Sequence, residues 1–194
     1  MEYLDIVDEM GEPTGEIIAR NIAHEKGVLH RTAHVWVARQ TNSRWEVLLQ
    51  KRSQEKDSFP GMYDTSSAGH IPAGKQPVDS AIRELEEELG IRAVPEELDY
   101  CGSFRIQYEK YFHGSLFKDN EIARVYVLLK PVEIDSLHLQ ESEVEGVCWF
   151  DMQETLDETR RGSDRFCVPL ESLLILQEYL ASHTSVAKER RYCP

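Results

Sequence analysis

Residues 69–91 read GHIPAGKQPVDSAIRELEEELGI, and this stretch decides how the rest of the chain is interpreted. On a helical wheel, its apolar side chains fall on one stripe and three carboxylates fall on another face. The stripe contains Val78, Ala81, Ile82, Leu85 and Leu89, and the carboxylates belong to Glu84, Glu87 and Glu88. The pattern predicts a helix over 77–89. It ends at Gly90, because a left-handed residue suits a helix C-terminus.

The three carboxylates have two interpretations. They could form a solvated face, but Glu84–Glu87 and Glu84–Glu88 are like-charged pairs that each destabilise a helix by roughly a few tenths of a kcal/mol. They also lie near the C-terminal end of the helix, where the macrodipole disfavours anions. A divalent cation would turn this repulsion into ligation, and carboxylate oxygens suit Mg²⁺ or Mn²⁺. Arg83 can pair with Glu87 at i,i+4 and hold the cluster in place.

The spacing of this stretch resembles the signature of the Nudix hydrolase family. The matching positions are Gly69, Arg83, Glu84, Leu85, Glu87, Glu88, Gly90 and Ile91. The resemblance implies a Nudix-like α/β/α sandwich with a mixed β-sheet, an α+β fold. It also implies that Glu84, Glu87 and Glu88 hold Mg²⁺ or Mn²⁺, while Gly69, Arg83 and Gly90 shape the box.

One position departs from the family pattern, because Lys75 stands where the signature has Glu. Three alternatives remain open at this point. Lys75 could lie near the cations and weaken a second or third one, lie near the substrate phosphates and supply positive charge, or lie on the surface. The departure leaves the three-carboxylate set intact but leaves the number of metal ions open.

The wider chain, over roughly 3–151, resembles the branch of that family that is similar to isopentenyl-diphosphate isomerase. The stretches that carry this resemblance are 29–34, 49–52, 59–64, 68–70 and 119–121. It places His24, His30 and His70 near the metal histidines of the isomerases, and it makes 119–121 an acidic metal-binding pair. His30 and His70 could instead be hydrogen-bonded pocket residues. The isomerases have Cys directly before Gly-His, and Ala68 stands there in this chain, so isomerisation is disfavoured because a methyl group cannot transfer a proton.

The function that follows is Mg²⁺-dependent hydrolysis of a nucleoside diphosphate linked to another moiety, or of a related diphosphate. Glu121, predicted in a loop, and Glu84 compete for the role of general base, with Glu121 preferred. The candidate substrate contacts are Lys51, Arg52 and His70. The guanidinium of Arg52 can bind a phosphate with two hydrogen bonds. The alternatives are an isomerase-like enzyme and a non-catalytic Nudix-like binding module.

An aromatic-rich run follows the box, formed by Tyr108, Tyr111, Phe112 and Phe117. It could flank the pocket, where it would stack on a base or cover a prenyl chain. It could equally pack in the core or between the subunits of a homodimer.

The composition limits the partners. The chain has 194 residues, with 22 Lys and Arg against 35 Asp and Glu, so its net charge is −13. Such an acidic protein repels a nucleic-acid polymer, and a small-molecule diphosphate is the expected partner. The sequence shows no candidate membrane span or secretory signal, so we expect a cytoplasmic protein that does not bind membranes.

We expect one domain over 1–194, with an N-terminal hairpin at 3–19 and a C-terminal helical region at 152–194 that serves packing. The alternation of apolar and turn-forming residues predicts strands at 3–7, 16–19, 34–38, 45–50, 100–108, 123–129 and 146–150. Further helices are predicted at 152–160 and 169–182. Strands and helices mix without strict alternation, which favours a mixed sheet.

Overall fold

The structure is a computed structural model that describes residues 1–189, with side chains described up to residue 183. It contains nine strands: β1 Tyr3–Val7, β2 Pro13–Ala19, β3 His30–Thr41, β4 Arg44–Arg52, β5 Tyr63–Asp64, β6 Ser67–His70, β7 Leu98–Phe112, β8 Ser115–Leu129 and β9 Val144–Asp151. Its α-helices are α1 Arg20–Lys26, α2 Pro77–Leu89, α3 Met152–Arg160 and α4 Leu170–Glu189. Two short 3₁₀ turns lie at Pro95–Glu97 and Ile134–Ser136.

Seven of these strands form one mixed sheet. Its main path runs β5-β4-β3-β8-β7, while β6 pairs with β3 and β9 pairs with β4. The β3 and β8 strands are parallel, with His30 opposite Glu121, and the other pairs are antiparallel. Because β6 and β4 both pair with the same side of β3, the sheet divides there, and the divided edge faces α2.

Helices cover both faces of the sheet, which confirms the three-layer α+β fold. On one face, the buried Ala81, Leu85 and Leu89 of α2 pack against sheet residues that include Val35 and Leu48. On the other face, residues of α3 and α4 pack against Trp36 and its neighbours. The indole Nε1 of Trp36 donates a 3.0 Å hydrogen bond to Ser172 Oγ, so α4 is fixed to the centre of the sheet by a buried polar contact.

The predicted elements occur with shifted ends. The helices at 77–89 and 152–160 have the predicted bounds, and Gly90 ends α2 with φ 70° in the left-handed region. The strands of the sheet are longer than predicted, β7 and β8 most of all. The helix α1 and the short strands β5 and β6 were not predicted. The last five residues of the C-terminal region, 190–194, lie outside the described residues.

The N-terminal hairpin β1–β2 forms its own two-stranded sheet. It is joined to the body of the protein by a buried ion pair in which Arg31 Nη2 lies 2.9 Å from Asp5 Oδ2. The same oxygen accepts a hydrogen bond from the backbone N–H of Gly74, so the hairpin also holds the loop that precedes α2. No helix in the described part of the chain is long and apolar enough to cross a membrane.

Candidate active site

A cavity of about 390 Å³ opens over the first half of β3, between β6, β8 and the C-terminal half of α2. Its lining is polar and mainly acidic. Ten carboxylates line it: Glu2, Glu55, Asp57, Asp64, Glu84, Glu87, Glu88, Asp119, Glu121 and Glu143. Four basic side chains accompany them: Arg20, Arg52, Lys56 and Arg83. A phosphorylated ligand would meet net negative charge here, so its entry calls for cations that offset the carboxylates.

Glu88 is the most deeply placed carboxylate of α2. Only 3% of the residue is exposed, and its Oε2 accepts hydrogen bonds from Gln50 Nε2 at 3.1 Å and from the backbone N–H of Ala68 at 3.3 Å. Burial raises the pKa of Glu88 to about 7, with a smaller contribution from the charge of Glu84. The carboxylate is therefore held in a fixed position in an environment that makes an adjacent cation favourable.

Arg83 organises the other two carboxylates of the box. Its Nη1 lies 2.6 Å from Glu87 Oε2, which confirms the predicted i,i+4 pair, and its Nη2 lies 2.5 Å from Glu84 Oε1. Arg83 Nη2 also donates to the carbonyl of His70, so the guanidinium connects α2 to β6. Burial raises the pKa of Glu84, although the charge of Arg83 opposes this shift.

A second group of side chains converges near the box carboxylates. One potential ligand atom from each of His24, His30, His70 and Glu121 lies within 4.8 Å of the others. Among the described residues, no other set of three or more potential ligand groups lies this close together. Glu84, Glu87 and Glu88 line the same cavity, but their oxygens do not form such a close set. The assignment of the three α2 carboxylates as metal ligands therefore stays a prediction.

The ring nitrogens of the three histidines are oriented by their neighbours. His30 Nδ1 contacts the carbonyl of Val28 at 2.8 Å, and His24 Nδ1 contacts the carbonyl of Lys118 at 3.3 Å. For His24 and His30, these contacts favour a proton on Nδ1, so that Nε2 carries the lone pair, as in imidazoles that bind metals. The Nε2 atoms of His24 and His70 lie 3.0 Å apart. Burial lowers the pKa of His24 to about 4 and lowers the pKa of His70, so both rings are neutral at pH 7.

Glu121 lies within β8 and is only 6% exposed, so the prediction that it belongs to a loop is wrong. The β8 strand is longer than its apolar pattern indicated because its polar first half pairs with β7. Glu121 Oε2 accepts a 3.0 Å hydrogen bond from Thr32 Oγ1, and its Oε1 lies 3.4 Å from His30 Nε2 and 3.7 Å from His70 Nε2. Burial would raise the pKa of Glu121, but the contact with His30 brings it below the ordinary value.

The residues of this second group fit a divalent cation. Two fully buried atoms have no hydrogen-bond partner in the described part of the chain: Nε2 of His30, within the group, and Oδ1 of Asp119, which lies 3.7 Å from His24 Nδ1. Unpaired buried polar atoms are costly, and a bound ion would satisfy them. Three imidazole nitrogens and a carboxylate oxygen suit Mn²⁺ or Zn²⁺ better than Mg²⁺, which prefers oxygen ligands. The oxygen-only set on α2 suits Mg²⁺.

The three predicted substrate contacts differ in position. His70 and Arg52 line the cavity, but Lys51 does not, and its ammonium lies 2.6 Å from Glu145 Oε1 on the surface. The Arg52 guanidinium is held by Asp64 and by the carbonyl of Ser58, so only part of its hydrogen-bonding capacity faces a ligand. Lys75 is exposed and outside the cavity lining, which favours the surface alternative for this position.

Aromatic side chains form one wall of the cavity. Phe117 stacks on His24 with ring centroids 4.3 Å apart, and Tyr108 stacks on Phe117 at 6.4 Å. Phe112 contacts Phe117 and Phe59 farther out, while Tyr111 is 71% exposed. The long β7–β8 hairpin thus places part of the aromatic run beside the cavity, as one of the alternatives predicted.

The C-terminal region contributes to the cavity as well as to packing. Cys167 and Pro169, just before α4, line its inner end. The expectation that 152–194 serves packing is therefore incomplete, because the segment before α4 runs parallel to β5 at Tyr63 and reaches the cavity. The backbone N–H of Cys167 donates to the carbonyl of Tyr63 at 2.9 Å and fixes this approach. The sequence carries no signal for it, since a lone Cys and a Pro before a helix are common in packing segments.

The comparisons with known proteins agree with this architecture. The model of the NUDIX domain family matches residues 28–168. A Nudix hydrolase of Clostridium acetobutylicum is 39% identical over 153 residues, covering 79% of this chain and 71% of that protein. Nudix hydrolase 3 of Arabidopsis thaliana is 38% identical over 155 residues, covering 79% of this chain but only 20% of the plant protein.

Solved structures share the fold. A Deinococcus radiodurans protein, DR0079, superposes with a TM-score of 0.67 at 18% identity, covering 91% of this chain and 98% of its own. The NUDIX domain of Shewanella oneidensis NrtR, solved with ADP-ribose, has a TM-score of 0.55 at 15% identity, covering 79% of this chain and 86% of its own. The chain belongs to the Nudix family, and it is a hydrolase that acts on pyrophosphate bonds in diphosphate-containing substrates.

Proposed function

We propose that the protein is a divalent-metal-dependent pyrophosphohydrolase that cleaves a nucleoside diphosphate linked to another moiety. The observation that supports this most is the composition of the cavity. Ten carboxylates, four basic side chains and a cluster of histidines surround a space of about 390 Å³. A diphosphate can enter such a site only together with cations, and the basic side chains alone are too few to offset the acidic ones.

Two sets of ligands would hold the cations. Glu84, Glu87 and Glu88 offer oxygen ligands suited to Mg²⁺, and the group of His24, His30, His70 and Glu121 suits Mn²⁺. A metal bound at such a site supplies neutralisation of phosphate charge and lowers the pKa of water bound to it. Glu121 belongs to the proposed ligand group because its Oε1 faces Nε2 of both His30 and His70. Its Oε2 is held by the hydrogen bond from Thr32.

The other polar side chains have separate roles in the proposed reaction. Arg52, Lys56 and Arg83 line the cavity and would stabilise the charge that develops on the phosphate oxygens. The sequence favoured Glu121 as general base, but both of its oxygens already contact neighbouring side chains, so we propose Glu84, of which Arg83 holds only Oε1 among the described residues. The carboxylate takes a proton from the attacking water as the new oxygen–phosphorus bond forms and the bridging phosphorus–oxygen bond breaks.

An isomerase-like activity is a second candidate, because the structure brings together His24, His30, His70 and Glu121, the positions that resemble the metal site of isopentenyl-diphosphate isomerase. It stays the weaker candidate. Ala68 lines the cavity where the isomerases have Cys, and it offers no proton donor.

The test is a substrate screen with product identification. The purified protein is incubated with Mg²⁺ or Mn²⁺ and with ADP-ribose, sugar nucleotides, dinucleotide polyphosphates and isopentenyl diphosphate, in water enriched in ¹⁸O. We expect metal-dependent cleavage of a nucleoside diphosphate derivative, with one labelled oxygen in one phosphate product. Formation of dimethylallyl diphosphate would favour the isomerase, and binding without turnover of any compound would favour a binding module.

Variants of three glutamates on α2 test the proposed role of its carboxylates. Glu84→Gln and Glu88→Gln are each expected to lower turnover by about 10² or more, equivalent to roughly 3 kcal/mol of barrier. Glu86→Gln is the matched control, because Glu86 lies on the same helix, pairs with Arg92 at the surface and is absent from the cavity lining. Equal turnover in all three variants at saturating metal would contradict the proposal.

A further inference from the structure

The main sheet divides where the chain passes from β5 to β6. The β5 strand pairs with β4 and the β6 strand pairs with β3, so β4 and β6 separate at this point. Two polar side chains connect the strands around the division. Ser66 Oγ accepts a hydrogen bond from the backbone of β3 and donates one to the backbone of β4. Glu88 of α2 is the second, because its Oε2 accepts from the side chain of Gln50 on β4 and from the backbone N–H of Ala68 on β6.

Gln50 places a buried amide under α2. It is only 2% exposed, and it shares a face of β4 with Leu48, which belongs to the core beneath that helix. Its backbone pairs with Asp64 of β5 and with Val147 of β9, so the start of the side chain is fixed. A buried amide is costly unless it is hydrogen-bonded, and the 3.1 Å bond to Glu88 supplies a partner. Gln50 is absent from the cavity lining, so it would act on a ligand only through Glu88.

The three carboxylates of α2 differ in the charge of their hydrogen-bond donors. Glu84 and Glu87 both pair with the guanidinium of Arg83. Glu88 is held by an amide and a backbone N–H, and in the described part of the chain no basic side chain forms an ion pair with it. Neutral donors fix the position of a carboxylate without offsetting its charge, so that charge remains available to a cation. Both bonds fall on Oε2, which leaves Oε1 for a ligand in the cavity.

We propose that Gln50 is a positioning residue that orients Glu88 toward a divalent cation and thereby sets the Mg²⁺ affinity of the α2 carboxylates. This inference rests on the proposed function, in which these carboxylates bind a cation. Residues that hydrogen-bond to a metal ligand orient its coordinating atom, and their loss typically weakens metal binding by about 10–100-fold. Without the amide of Gln50, Glu88 would keep only the 3.3 Å bond from the N–H of Ala68, and its carboxylate could rotate away from the cation.

The test is calorimetric titration of the metal-free protein with Mg²⁺, in the absence of substrate. Gln50→Met removes the amide but retains the length of the side chain, whereas Gln50→Asn retains an amide on a side chain too short to reach Glu88. Gln40→Met is the matched control, since Gln40 is an exposed strand residue that is absent from the cavity lining. We expect both Gln50 variants to raise the Kd for Mg²⁺ about tenfold or more, and the control to stay within about twofold of wild type.

A double-mutant cycle separates positioning from a general structural role. If Gln50 acts through Glu88, the double variant Gln50→Met/Glu88→Gln should bind Mg²⁺ as weakly as Glu88→Gln alone, because the group that Gln50 orients is already lost. Additive losses of Mg²⁺ affinity in the double variant would overturn the role of Gln50, and so would wild-type affinity in Glu88→Gln.

The remaining outcomes also decide the question. Unchanged Mg²⁺ affinity in Gln50→Met, or a lower free energy of unfolding without a loss of affinity, would overturn the role of Gln50, and Gln50→Asn takes the place of this variant if it does not fold. If wild type binds Mg²⁺ but cleaves no compound in the substrate screen, only the proposed function fails, and the binding comparison still decides the role of Gln50. Absence of Mg²⁺ binding by wild type would overturn both.

Discussion

Gly69 faces Glu84 so closely that a Cβ atom on Gly69 would overlap both Cδ and Oε1 of Glu84. Gly69 is in β6 and Glu84 is in the middle of α2, so the glycine sets how near the helix carboxylate comes to the sheet. Its backbone is not in the left-handed region, which means that space, and not conformation, requires glycine at this position. The carboxylate therefore keeps its place because the residue opposite has no side chain.

Gly69→Ala should displace the Glu84 carboxylate and lower kcat by about tenfold or more, because a small misplacement of a reacting group is costly. The loss of stability should be small, since the far end of a flexible side chain can move. The measurement is steady-state kinetics together with urea unfolding. The double variant Gly69→Ala/Glu84→Ala should recover the lost stability but not the activity, and strictly additive free energies of unfolding would contradict the contact.

The raised pKa of Glu88 gives a pH dependence of stability in metal-free protein. Its pKa is 4.5 in an ordinary environment and about 7 in the fold, so between these values the folded state keeps a proton that the unfolded state has lost. Stability contributed by this group therefore falls as pH rises from about 4.5 to 7, by at most about 3 kcal/mol.

Glu88→Gln removes this titration while retaining a side chain that can accept the hydrogen bonds from Gln50 and Ala68. The free energy of unfolding of the metal-free variant should exceed that of wild type at pH 8 and approach it at pH 5. Denaturant unfolding at both pH values, with chelator present, checks the difference. A parallel pH dependence in the two proteins would show that Glu88 titrates normally.

His70→Ala should weaken Mn²⁺ binding by about tenfold or more, because it removes one nitrogen from the group that also contains His24, His30 and Glu121. Calorimetric titration of the metal-free protein measures this without any substrate. His138→Ala controls for loss of an imidazole elsewhere on the surface. Unchanged Mn²⁺ affinity in His70→Ala would remove this group from the proposed metal sites.

Lys75→Glu restores the charge of the family signature and is expected to leave kcat and KM within about twofold of wild type. The side chain is exposed and lies outside the cavity lining, where solvent and salt screen its charge. Kinetics over a range of Mg²⁺ and salt concentrations checks this. Tighter Mg²⁺ activation would instead place the residue near the cations, and a higher KM that depends on salt would place it near the substrate.

Trp36→Phe should destabilise the protein by about 1–3 kcal/mol, because it leaves Ser172 Oγ buried without its donor. Ser172→Ala should destabilise it by a similar amount for the converse reason. Thermal unfolding of both single variants and of the double variant gives the coupling energy. The double variant should be more stable than the sum of the two single effects implies.

The sequence was most informative where local periodicity and chemistry coincide. The bounds of α2, the Arg83–Glu87 pair and the cap at Gly90 all follow from spacing within one helix. The family could be inferred for the same reason, since its signature is a contiguous stretch whose clustered carboxylates would repel one another on an ordinary surface helix.

What could not be predicted depends on contacts between distant segments. The short strand β6 has no periodicity of its own and exists because it pairs with β3. Glu121 was placed in a loop because the polar first half of β8 hides the strand, which the neighbouring β7 stabilises. No signal marked Gln50 either, since only the fold brings its amide to Glu88.

The parallel pairing of β3 with β8 has a consequence for how the protein folds. These strands lie side by side although β3 ends at Thr41 and β8 begins only at Ser115. Closing so long a loop costs conformational entropy before any stabilising contact between the two strands forms, and such non-local topologies fold slowly. His30 and Glu121 meet only at that closure. During synthesis, the histidine cluster can therefore assemble only after β8 has left the ribosome, and we expect a metal to be captured there only by a chain in which β3 and β8 have already paired.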